Sequence, residues 1–66
     1  MNKKIHIISG VDLGSCFVGK PAKIFMPDGR ILKTSPVESY WAKSGGICIE
    51  TRNSIYVDQK NAELYK

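Results

Sequence analysis

Residues 22–34, Ala22-Lys23-Ile24-Phe25-Met26-Pro27-Asp28-Gly29-Arg30-Ile31-Leu32-Lys33-Thr34, decide the fold. Pro27 presets φ for the first corner of a type I turn, Asp28 suits the second, and Gly29 tolerates the positive φ of a bulge residue. Such a connection folds the chain back as a hairpin and sets its register: Met26 opposite Arg30, Phe25 opposite Ile31, Ile24 opposite Leu32. Ala22, Ile24, Leu32 and Thr34 then share a core face. Phe25 and Ile31 share the other face, flanked by Lys23 and Lys33, which predicts a basic surface carrying an aromatic ring.

Strand patterns continue on both sides of this hairpin. Lys3–Ser9 alternates, with Ile5 and Ile7 on one face and His6 and Ile8 on the other. Between Ser9 and Lys20 the glycines at 10, 14 and 19 break every period, which predicts a long connection pinned to the core by Val11, Leu13, Phe17 and Val18. Pro36 cannot donate to a ladder, so the strand is expected to bend there and resume over Val37–Ala42. Tyr40 and Trp41 are adjacent and face opposite sides; the alternation turns Trp41 inward and Tyr40 outward. Lys43–Gly46 reads as a turn, Ile47–Arg52 as a strand with Ile47 and Ile49 inward, and Asn53-Ser54 as a tight turn into Ile55–Asp58. Asp58 is placed to cap a closing helical turn through Gln59–Tyr65, which needs Leu64 or Tyr65 docked to hold.

With 66 residues, 42% of them apolar and 24% charged, the chain has the composition of one globular domain over residues 1–66. So short a chain buries only about 60% of the surface its unfolded form exposes, so its core is thin. About five short strands with tight turns, and too few residues for two packed sheets, predict an all-β fold: a small, closed or nearly closed antiparallel barrel.

No run approaches the ~20 apolar residues of a membrane span. Met1-Asn2-Lys3-Lys4 has the basic start of an export signal, and Leu13-Gly14-Ser15-Cys16 mimics a lipoprotein cleavage site. His6, Gly10 and Asp12 break the apolar stretch that export requires, so the expected address is the cytoplasm, with no membrane partner. Cys16 and Cys48 are too far apart for a zinc motif and too few for a disulfide framework, and are expected as reduced thiols.

Asp28-Gly29-Arg30 followed by Ile31-Leu32 and Lys33-Thr34 resembles the central hairpin of SH3-like barrels, in particular the first motif of Sm-like RNA-binding proteins. The likeness spans roughly a dozen residues of a hairpin type that recurs widely. It implies an SH3-like barrel. Sm-like proteins carry a glycine soon after this hairpin where Thr34-Ser35-Pro36 stands here, and their second motif has an Arg-Gly step with no counterpart near Arg52-Asn53. The RNA-binding ring of that family is therefore carried over to no residue. Thr34-Ser35-Pro36-Val37 followed by Ile49-Glu50-Thr51-Arg52-Asn53-Ser54-Ile55-Tyr56 also resembles uncharacterised small barrels of phages and mobile elements, which lend no function.

The chemistry-bearing residues favour binding over catalysis. His6 is the single histidine, and the six carboxylates sit one at a time, with Asp28 already used in a turn. Gly10, Gly14 and Gly19 lack the lysine and hydroxyl ending of a phosphate loop. No enzyme, metal or cofactor is expected. The net charge of +4 points towards acidic partners, nucleic acid foremost. The expected contact residues are Tyr40, Lys43, Arg52 and Tyr56, with Lys23, Phe25 and Lys33 as a second group, because small barrels hold single strands by rings that stack and cations that track phosphates. The alternative is a protein-interaction module, whether a homo-oligomer, adaptor or inhibitor, docking by an aromatic patch or an open sheet edge.

Overall fold

A computed structural model describes residues 3–43 and 45–61 and is all-β. Its strands are β1 (Lys4–Ile8), β2 (Gly10–Val11), β3 (Pro21–Phe25), β4 (Ile31–Pro36), β5 (Ser39–Lys43), β6 (Gly46–Glu50) and β7 (Ser54–Asp58). They form a four-stranded sheet in the order β1-β7-β6-β5 and a three-stranded sheet in the order β2-β3-β4.

The hairpin at the centre has the anticipated register, with Phe25 opposite Ile31, Ile24 opposite Leu32 and Lys23 opposite Lys33. Gly29 takes φ +94°, its N–H donates to Met26 O at 3.0 Å, and Met26 N–H donates to Arg30 O at 2.8 Å. Asp28 locks the turn by accepting from Arg30 N–H at 3.0 Å and from Arg30 Nε at 2.7 Å.

Two sheets arise from so few residues because two segments serve both. Residues 4–11 run from β1 in the first sheet to β2 in the second, and residues 31–43 run from β4 in the second to β5 in the first. Pro36 ends β4 at the second corner, where the sequence predicts a bend. The first corner corrects the reading of residues 9–20 as connection throughout. Gly10 and Val11 pair with Phe25 and Ile24, supported by Ser9 N–H to Phe25 O at 2.8 Å and Asp12 N–H to Lys23 O at 2.9 Å. One pairing also departs from the antiparallel expectation: β1 and β7 are parallel. A meander with an odd number of strands requires this when its first and last strands meet.

The core lies between the sheets and consists of Ile8, Cys16, Ala22, Ile24, Val37 and Ile49, with Val11, Met26, Ile47 and Tyr56 partly buried against them. A fully buried aliphatic side chain contributes about 1.5–3 kcal/mol, so each of these few residues matters. In β1 the inward pair is His6 and Ile8, while Ile5 and Ile7 are exposed. Trp41 is half-buried and Tyr40 exposed, but the faces are the reverse of the expectation: Tyr40 stands opposite the core residue Ile49 and Trp41 opposite Cys48, because the alternation does not carry through the corner at Pro36. Leu32 is more exposed than its place on the core face suggests, because β4 has no second neighbour in its sheet.

The connection after β2 is not pinned as expected. Leu13, Phe17 and Val18 are 65%, 55% and 63% exposed, and the buried anchor is Cys16. Hydrogen bonds shape this segment instead. Asp12 caps a 3-10 turn over Leu13–Ser15 by accepting from Gly14 N–H at 3.0 Å, and Gly19 N–H donates to Val37 O at 2.8 Å. At the far end Asp58 accepts from Lys60 N–H at 2.8 Å at the start of a short 3-10 turn over residues 59–61. The remainder of the anticipated helical turn, with Leu64 and Tyr65, lies outside the described residues. No helix among the described residues is long and apolar enough to cross a membrane.

Candidate nucleic-acid interface

The outer face of the three-stranded sheet is built in rungs. Gly10, Phe25 and Ile31 form one rung across β2, β3 and β4, and Lys23 opposite Lys33 forms another two residues along. Side chains two residues apart on a strand share a face, so both rungs point away from the core that Ala22 and Ile24 enter. Phe25 and Lys23 are half-buried, Lys33 is exposed, and Ile31 is 60% exposed.

The backbone under these side chains is tied on both sides. Phe25 O accepts from Ser9 N–H at 2.8 Å and from Ser9 Oγ at 2.9 Å. Lys23 N–H donates to Ser15 Oγ at 2.9 Å, while its carbonyl accepts from Asp12 N–H. Gly10 is the member of this site that the sequence reading missed, and a glycine inside a strand is its signal. With no side chain opposite Phe25, it leaves the ring uncovered from that side; a β-carbon there would lie 3.8 Å from Phe25 Cδ2.

The other cations are placed differently. Lys3 reaches Glu50 Oε2 at 2.7 Å, Glu38 Oε1 at 3.4 Å and Thr51 O at 2.8 Å. The Lys3 hydrogen bond, aided by Ser39 Oγ, holds the Glu50 carboxyl below its ordinary range, and the same contact with Glu50 raises Lys3. Arg30 is paired with Asp28, whose carboxyl is lowered first by the Arg30 backbone N–H. Among the described residues, Lys23, Lys33, Lys43 and Arg52 take part in no ion pair.

Of the seven expected contact residues, the structure brings Lys23, Phe25 and Lys33 together. Tyr40 stands on β5, an edge of the other sheet. Lys43 ends β5 opposite Gly46, whereas Arg52 lies in the β6–β7 turn. The two are therefore separated by the length of β6, about 17 Å for a five-residue strand. Tyr56 packs against the core, its ring stacked on His6 with centroids 5.1 Å apart and planes at 22°. That ring already has its partner. His6 Nε2 lies 3.4 Å from Ser54 Oγ, so the histidine belongs to this sheet contact.

Cys16 and Cys48 are free, buried thiols, and burial pushes both pKa values up. The described residues form no pocket, and no three metal-ligating side chains converge among them. No family model matches the chain, and neither a curated protein nor a solved structure matches it.

Proposed function

We propose that the chain is a non-enzymatic binding module whose outer β3–β4 face takes a polyanion, with nucleic acid the foremost class. The observation carrying this reading is the Lys23–Lys33 rung. Like charges directly opposite on neighbouring strands destabilise a sheet, and here no described carboxylate pairs with either ammonium. A phosphodiester laid between the two would offset one of the two charges and relieve their repulsion. The shared segments 4–11 and 31–43 support a reading of the two sheets as one small five-stranded barrel of SH3-like type, with each bent segment counted once. The protonated, buried thiols suit a reducing compartment such as the cytoplasm.

Fluorescence anisotropy of a labelled oligonucleotide at two salt concentrations tests the reading. Binding at low salt is expected, with log K falling by about 0.7 per phosphate contacted for each decade of salt on a single strand. Failure to bind both oligonucleotide and heparin at low salt overturns it.

A second reading, docking to a protein, is favoured by Leu13, Phe17 and Val18. They are exposed on a segment already held by hydrogen bonds, so their presentation needs little further ordering. Light scattering that gives the monomer mass, with no protein retained on an immobilised chain, counts against it.

A further inference from the structure

We infer that the β3–β4 face is a single-strand reader: one base stacks on Phe25 while an adjoining phosphate bridges Lys23 and Lys33. The inference rests on the polyanion reading above and adds the part that distinguishes a single strand from other polyanions.

Three features carry it. The apolar rung (Gly10, Phe25, Ile31) and the cationic rung (Lys23, Lys33) are two residues apart on the same face, which is about 6.5–7 Å along a strand. That distance is comparable to the reach from a stacked base to a neighbouring phosphate in an extended strand. Aromatic stacking is tolerant of base identity because every base has a π-face, so a single half-exposed ring suffices for binding without a sequence code. Finally, Gly10 puts no side chain against the ring on β2, where a β-carbon would touch Phe25 Cδ2 at 3.8 Å, while Ile31, 60% exposed, offers an apolar shoulder on β4. A duplex hides its base faces within its own stack, so it reaches only the lysines.

Arg30 does not add a third cation in this state, since its guanidinium is held by Asp28 at 2.7 Å.

The test measures a labelled ten-nucleotide oligothymidylate, the matching duplex and heparin on four proteins: wild type, Phe25→Leu, Gly10→Val, and the double variant Lys23→Gln/Lys33→Gln. Circular dichroism checks the fold of each, and Gly10→Val, at a site with no strained φ, keeps every cation and sets its methyls against the Phe25 ring. Expected are tighter binding of the single strand than of the duplex, and a loss of about fivefold to a hundredfold in Phe25→Leu and Gly10→Val with the salt slope unchanged. The double lysine variant is expected to flatten that slope by about 0.7. Single strand, duplex and heparin bound alike, with Phe25→Leu and Gly10→Val at wild-type affinity, overturn the stacking inference and leave polyanion binding standing. Absence of all binding overturns both.

Discussion

Ala22 sits where the β3–β4 ladder slips, and its buried N–H donates to the side chain of Thr34, at Oγ1, at 3.0 Å. Thr34 Oγ1 in turn donates to Ser35 O at 2.6 Å, so one hydroxyl, itself 5% exposed, serves both strands. Thr34→Val keeps the shape and leaves the Ala22 N–H unpaired. The expected loss is about 1–3 kcal/mol, read as a lower urea midpoint, with Thr34→Ser much closer to wild type.

Gly46 is required by contact rather than by backbone conformation. A β-carbon there would lie 2.6 Å from Asp58 Cβ and 2.7 Å from Asp58 Cγ, with Asn61 Nδ2 at 3.1 Å. Asp58 and Asn61 are buried, and Asn61 ties this end of the sheet by donating to Lys43 O at 2.7 Å. Gly46→Ala is therefore expected to destabilise by about 1–3 kcal/mol through overpacking, whereas Gly19→Ala, in open space, is expected to cost about 1–2 kcal/mol through backbone strain at φ +89° with no clash, and Gly19→Asn less than Gly19→Ala. Thermal melts of the variants compare these outcomes.

The Lys3–Glu50 pair makes stability depend on pH in a defined direction. Glu50 is lowered from its ordinary 4.5, so its contribution is present above that value and fades as pH falls through the lower folded pKa. Lys3 is raised from 10.5, so its contribution is present below that value and fades as pH rises through the higher folded pKa. Urea midpoints of wild type and Lys3→Gln are expected to differ by a constant amount near neutral pH and to converge at both extremes. A difference independent of pH would show that the ammonium contributes only through its aliphatic stem.

Stability and binding should oppose one another at the lysine rung. Lys33→Glu converts a like-charge rung into an opposite-charge one and is expected to stabilise the hairpin by about 0.2–1 kcal/mol. The same change is expected to weaken oligonucleotide binding. Equal or lower stability in Lys33→Glu would remove the argument that this rung is held against the interest of the fold.

How far the sequence was legible depends on how local each signal is. The Pro27-Asp28-Gly29 corner specified a hairpin and its register because turn geometry acts over a few residues, whereas the Tyr40 and Trp41 faces did not follow from period two, since the corner between β4 and β5 interrupts the alternation and sets Tyr40 opposite the core residue Ile49. The parallel β1–β7 pairing depends on two strands about fifty residues apart, and no local pattern encodes it. Leu13, Phe17 and Val18 were misplaced because apolar residues in a connection suggest burial, while here Asp12, Ser15 and Gly19 hold the segment by hydrogen bonds. At the candidate site, Lys23, Phe25 and Lys33 followed from the hairpin register. Tyr40, Lys43, Arg52 and Tyr56 were grouped by residue type, and type does not say which edge or end of a sheet a residue occupies.

The most direct test is a 15N-NMR titration of the whole chain with a short single-stranded oligonucleotide at low salt. The account predicts that the largest amide shifts fall on Gly10, Lys23, Phe25, Ile31 and Lys33, with Tyr40, Lys43 and Arg52 little changed. Shifts centred on Leu13, Phe17 and Val18 or on β5, or a spectrum unchanged at saturating oligonucleotide, would contradict it.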